Sequence, residues 1–312
     1  MKKFLATLLL SGMLTAAFAG SSLKSVIRFA TVEKATAMLN REDDYTKRWS
    51  PFDIFSKQHG KDTTRKGQFK NMISQLREWT PKEKERITAM LEEIDKDIAA
   101  GGYTLPLPEE IILIKSTMKD EGGADGYTRA NCIVIRDDAG SIPSGDLKKL
   151  LLHETFHVLT RHDSIFRSKM YGIIGFAIMP EVDYPAVIKK YRLTNPDAPK
   201  SNSYITVQRD GANVDVVMML YANKNYTTGE FFDYLTLGFV KLNDKHEVEL
   251  TEGKPTIYSF KDITGFIDQV GLNTEYIIDP EEILADNFVF AITDKKGLRS
   301  PKIVEEMQGM MK

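Results

Sequence analysis

The chain has 312 residues, 28% of them charged, and a formal net charge of −2. That length can bury one large core or two modest ones. The near-neutral, sign-mixed charge gives no basic excess for nucleic acid or an anionic membrane surface, so neither partner is expected.

The first element reads as a leader. Lys2 and Lys3 precede an apolar run from Phe4 to Phe18, which closes on the small-x-small cleavage site Ala17-Phe18-Ala19. This is the three-part design of a secretory signal peptide over residues 1–19. The run is shorter than the ~20 residues that span a bilayer, and no cysteine follows it to carry a lipid. The expectation is a periplasmic or extracellular protein with no stable membrane insertion after cleavage. Cys132 is the only cysteine, so neither an internal disulfide nor a cysteine zinc cluster can form. Within Cys132-Ile133-Val134-Ile135 it reads as a buried structural thiol.

Residues 20–100 read as a helical N-terminal segment. Thr80-Pro81-Lys82-Glu83 combines an N-cap, a proline at the first helical position and a glutamate three residues after the cap. Ile87, Leu91, Ile94 and Ile98 follow at helical spacing, and Gly101-Gly102 ends the run. Arg41 to Lys70 is polar and broken by Pro51, Gly60 and Gly67, as a loop-rich wrap or a removable prosegment would be. From residue 101 onward the elements alternate. Ile111–Ile114 and Tyr127–Arg136 read as strands, and the acidic run Asp120–Gly126 as a solvated turn without calcium-loop spacing. A helix covers about Gly145 to Arg161. Strands over Tyr204–Arg209, Val214–Ala222, Leu235–Leu242 and Glu247–Leu250 make an antiparallel insert of about residues 200–255. Helices follow over Phe260–Val270, from Asp279-Pro280 to about Phe290, and after Pro301.

The chemistry lies in the stretch LLHETFHVLTRHD, Leu151 to Asp163. On a helix, residues four apart share a face, so His153 and His157 can bind one metal ion. Glu154, one step round, can reach a water on that ion without coordinating it, as a general base must. HExxH supplies two ligands, and three places could supply a third. Asp163 lies ten residues after His153, but Thr160 stands where a sharp chain reversal needs glycine. His162 sits about 140° round a continuous helix from His157, too far to share the ion. Far downstream, DPEEILADN (Asp279 to Asn287) puts Glu282 and Asp286 on one helical face in an apolar setting. Glu281 lacks an acidic partner four residues on and reads as N-terminal helix charge.

HExxH on one helix and ExxxD on a second resembles the gluzincins, the thermolysin-like clan of zinc metallopeptidases. The likeness covers these two segments. It implies an α+β, zincin-like domain over residues 101–312, a mixed sheet with an edge strand, an active-site helix and a second ligand helix; the strand-rich insert between the two helices departs from thermolysin itself, where the second helix follows closely. It implies zinc on His153, His157 and Glu282, Glu154 as base, and Asp286 as the carboxylate that orients a ligand histidine. The expected substrate is a peptide or protein lying along an edge strand, with Tyr127–Arg136 the candidate by position. Tyr276 is the candidate for stabilising the oxyanion, with His246 and Tyr258 behind it. The GxMEN stretch of clan aminopeptidases is missing, since the region reads GGADGYTRAN, so an endopeptidase is expected. Two alternatives stand beside this one: a catalytically silent exported binding protein on the same fold, and a zinc hydrolase of a non-peptide substrate.

Overall fold

Capping chemistry sets the first long helix. The computed structural model describes residues 22–312, so the expected leader lies outside the described residues. In it, Pro81–Gly101 is helical, with Glu83 reaching back to the Thr80 N–H at 2.8 Å. Gly102 ends the helix at φ 66°, where any side chain would be strained. Ile87, Leu91 and Ile94 face inward and are buried.

They meet a five-stranded mixed sheet. Its strands are β1 (Ile27–Phe29), β2 (Leu76–Arg77), β3 (Ile111–Ser116), β4 (Gly126–Arg129) and β5 (Cys132–Arg136). The order is β1-β3-β5-β4, with β2 also paired to β3. β1, β3 and β5 run parallel, while β4 is an antiparallel edge strand on β5. Strand periodicity divides two cores. Ile111, Leu113, Ile133 and Ile135 face the long helices. Ile112, Ile114, Cys132 and Val134 face Tyr45, Trp49, Ile54 and Met72 on the other side. Both faces are covered, which is why IILI and CIVI read as unbroken apolar runs. Cys132 is buried, and that burial pushes its thiol pKa up to about 11.

Three expectations change here. Tyr127–Arg136 is not one strand: the chain reverses at Ala130 (φ 51°) and Asn131 into the hairpin of β4 and β5. The N-terminal segment is not purely helical, because β1 and β2 enter the sheet and Tyr45, Trp49 and Ile54 fill its second core. Asp120-Glu121 is no solvated turn, since both side chains are buried. Glu121 binds Lys57 Nζ at 2.6 Å and accepts from the Tyr45 hydroxyl at 2.5 Å.

A second sheet is wholly antiparallel. It runs β6 (Phe176–Ile178), β7 (Ser203–Arg209), β8 (Ala212–Ala222), β9 (Leu235–Lys241), then, beyond the small hairpin β10–β11 (Leu250–Thr251 and Lys254–Pro255), β12 (Ile257–Tyr258). The insert therefore begins at Phe176 rather than near residue 200. Glu247–Leu250 contributes only a bridge at Val248 and the start of the small hairpin. Phe260–Val270 breaks at Gly265 (φ 78°) into a short 3-10 turn and a five-residue helix. Together the elements make an α+β fold of one mixed sheet and antiparallel sheets. Among the described residues no helix is long and apolar enough to cross a membrane.

Two helices from either side of the insert cross on one another. Ser144–His162 carries the HExxH motif, and Pro280–Ile292 carries ExxxD. Phe156 and Phe288, both fully buried, fix the crossing with rings 5.4 Å apart. Each such ring contributes about 1.5–3 kcal/mol by leaving water. The second helix is buried along almost its whole length, its carboxylates Glu281, Glu282 and Asp286 included.

Candidate metal centre

Four-residue spacing puts both motif imidazoles toward the second helix, as helix geometry requires. His153 Nε2 lies 3.0 Å from Glu282 Oε2, and His157 Nε2 lies 3.7 Å from the same oxygen. Ligands about 2.0–2.1 Å from a tetrahedral ion sit about 3.3 Å apart, and the two distances bracket that separation. The motif and the downstream glutamate, 125 residues apart by number (157 to 282), thus converge on one point.

The outer nitrogens are also held. Asp286 Oδ1 lies 3.2 Å from His153 Nδ1, and Thr274 Oγ1 donates to the other Asp286 oxygen at 2.5 Å. Glu281 Oε1 lies 3.3 Å from His157 Nδ1. The Thr160 hydroxyl donates to that same oxygen, and Tyr171 donates to Oε2 at 2.6 Å. Glu281, an acidic residue in the first turn of its helix, thus also contacts the His157 ring. With both Nδ1 atoms engaged, both Nε2 atoms are left to face inward.

His157 Nε2 is the test of whether a cation fits. It is completely buried and has no hydrogen-bond partner, which in a protein interior calls for an explanation. Around it stand Glu282, Asp197 (Oδ1 at 4.0 Å) and Glu154, all carboxylates. Two imidazoles and this excess of buried negative charge fit a divalent cation. His153, Glu154 and His157 form one potential ligand group, and His157, Asp197 and Glu282 a second that shares its centre.

Titration follows the same charges. Burial opposes protonation of His153, yet hydrogen bonds to Asp286 and Glu282 outweigh it and hold its pKa well above the usual value. Burial would raise Glu282, but the paired histidines keep it low. Burial raises Glu154, offset in part by His157 and His153. Asp197 is driven well up, first by burial and then by the charge of Glu154.

Glu154 is fixed from β4. Thr128 Oγ1 donates to Glu154 Oε2 at 2.7 Å. The β4 edge strand thus runs directly beside the prospective base. Tyr276 stands at the rim, 45% exposed, its ring 6.4 Å from that of His153. The charge of Glu282 pushes its phenol pKa upward.

The other candidates lie elsewhere. Asp163 caps the next helix, Ser164–Ile173, accepting from the N–H groups of Ile165 and Phe166 at 2.8 and 2.9 Å. The motif helix runs on to His162, so no reversal occurs at Thr160, and His162 is exposed at its end. His246 stacks on Tyr204 at 4.1 Å within the insert, and Tyr258 lies in β12.

Sequence reading missed Asn195 and Asp197. Asn195 Nδ2 donates to Glu282 Oε1 at 2.6 Å, and Asp197 Oδ1 accepts the Thr128 N–H at 2.6 Å. Their only local signal is the loop Asn195-Pro196-Asp197-Ala198-Pro199, which has no periodicity to point it at the site. The chain matches no protein-family model, no curated protein and no solved structure.

Proposed function

We propose that this chain is an exported zinc-dependent peptidase with a zincin-like fold of the gluzincin kind. The observation that carries the reading is the convergence of His153 Nε2, His157 Nε2 and Glu282 Oε2, with a carboxylate behind each imidazole. Zinc held by these three residues would supply a Lewis acid and lower the pKa of its water toward 7. Glu154 accepts the proton from the attacking water, its carboxylate steadied by Thr128. An extended peptide would lie along the outer edge of β4, bound there by backbone groups. Tyr276, at the rim with its ring 6.4 Å from that of His153, would donate to oxyanion charge as the carbonyl is attacked.

A second reading, a zincin-like binding protein without activity, draws support from Asp197. A fourth protein group on the ion would leave no open position, as in structural zinc sites. The retained Glu154 speaks for hydrolysis, because a structural ion has no use for a base. The reading is tested with zinc-loaded wild type and Glu154→Gln on a pool of unstructured peptides, followed by mass spectrometry. Zinc content should match, and cleavage should fall by about 10²–10⁴-fold or more in the variant. Equal cleavage by both proteins would sink the reading. No cleavage by wild type or by Asp197→Ala, at full zinc occupancy, would favour the binding protein.

A further inference from the structure

The Asn195–Pro199 segment lies across the one sheet edge that the proposed substrate needs. β4 is the terminal strand of its sheet, so its outward N–H and C=O groups have no strand partner. The outward N–H of Thr128 is taken by Asp197 Oδ1 at 2.6 Å. The same oxygen faces His157 Nε2 at 4.0 Å. One side chain therefore meets both the sheet edge and the metal centre.

The segment is tied down at several points. Asn195 donates to Glu282, and Arg161 Nη2 donates to the carbonyls of Pro196 and Asp197 at 2.8 and 2.6 Å. Just before it, the Thr194 N–H is held by the buried Asp53 carboxylate at 3.1 and 3.2 Å. Pro196 and Pro199 limit its backbone freedom.

Two cavities open on either side of this bridge, and Pro196 and Asp197 line both. One, of about 70 Å³, is walled by Gly126, Tyr127, Leu193, Leu220, Phe231 and Tyr276. The other, of about 390 Å³, is walled by Arg129, Ala130, Arg161, Arg167 and Tyr171. β4 passes from the first to the second, and Thr128 lies under the crossing. Pro196 and Asp197 are thus the wall that the two cavities share.

We infer that Asn195–Pro199 is a built-in latch: Asp197 caps the free edge of β4 at Thr128, so the segment must lift before an extended peptide can bind. Identification of the occupant rests on the peptidase reading above. With the latch lifted, an apolar side chain of the peptide enters the cavity at Gly126, and the peptide backbone takes the Thr128 N–H.

The test uses the full zinc-loaded chain, wild type against Asp197→Ala, with amide exchange at Thr128 and peptide cleavage both measured. Exchange at Thr128 should quicken by about tenfold, the equivalent of one lost hydrogen bond, and cleavage should rise while zinc stays bound. Arg161→Ala loosens the bridge from its other side with Asp197 kept, and it should shift exchange the same way. Unchanged exchange at Thr128 in both variants overturns the latch. Loss of zinc and cleavage together in Asp197→Ala also overturns it, making Asp197 a resident ligand. Faster exchange with no cleavage by any of the proteins upholds the latch and removes the peptidase reading instead.

Discussion

Glu281 Oε1 lies 3.3 Å from Nδ1 of His157, and this contact mirrors the 3.2 Å approach of Asp286 to His153. Successive turns of one buried helix thus aim two imidazoles at one point. Glu281→Gln and Asp286→Asn should each keep the fold and weaken zinc binding by about 10–100-fold. Competition against a chelator of known affinity reads the effect directly. Wild-type affinity in Glu281→Gln would return that residue to a helix-end role. The same result in Asp286→Asn would do so for the aspartate.

Gly126 of β4 packs against Glu154, the proposed base. A Cβ there would lie 2.8 Å from Glu154 Oε1 and 2.9 Å from Leu150 Cδ1. Gly126→Ala must therefore displace the strand, the Leu150 side chain or the carboxylate, while the proposed zinc ligands are kept. Zinc stoichiometry should stay at the wild-type level, and kcat/KM for peptide cleavage should fall by about 10²-fold, the usual effect of a misplaced reacting group. If turnover is unaffected, Glu154 does not act from the position Thr128 gives it.

The parts of the site that lie on regular helices were legible in the sequence. His153 and His157 share a face because of their spacing, and Glu282 with Asp286 repeat the pattern on an apolar helix. The contact of Glu281 with His157 has no signal in the sequence, for a physical reason. Adjacent residues on a helix point about 100° apart, and the crossing fixed by Phe156 and Phe288 lets Glu281 reach His157 while Glu282 reaches both His153 and His157. Asn195, Asp197 and Thr128 act through a loop and a strand edge, where no period links residues distant in the chain. The hairpin at Ala130 was hidden because TRAN lacks the glycine that usually marks such a turn. Asp120 and Glu121 look like surface charge until the N-terminal segment brings Lys57 over them.

Asp120 offers a pH-dependent test of that buried corner. Both its carboxylate oxygens are buried without a hydrogen-bond partner. Burial, followed by the neighbouring charge of Glu121, lifts its pKa from 3.8 to about 8. Between those values the unfolded chain has lost the Asp120 proton and the folded chain has kept it. The folded state then binds more protons, so this group's contribution to stability falls as pH rises from about 4 to about 8. Below that window both states are neutral at this position, and above it the full penalty is in place. Asp120→Asn cannot ionise. The difference in Tm between variant and wild type should move in the variant's favour from about pH 5 to about pH 8, whatever its starting value. Comparing the two proteins at each pH cancels the contributions of the proposed metal centre, which the substitution leaves intact. A constant difference across the range would mean that Asp120 is ionised and solvated at neutral pH, and that the corner is open to water.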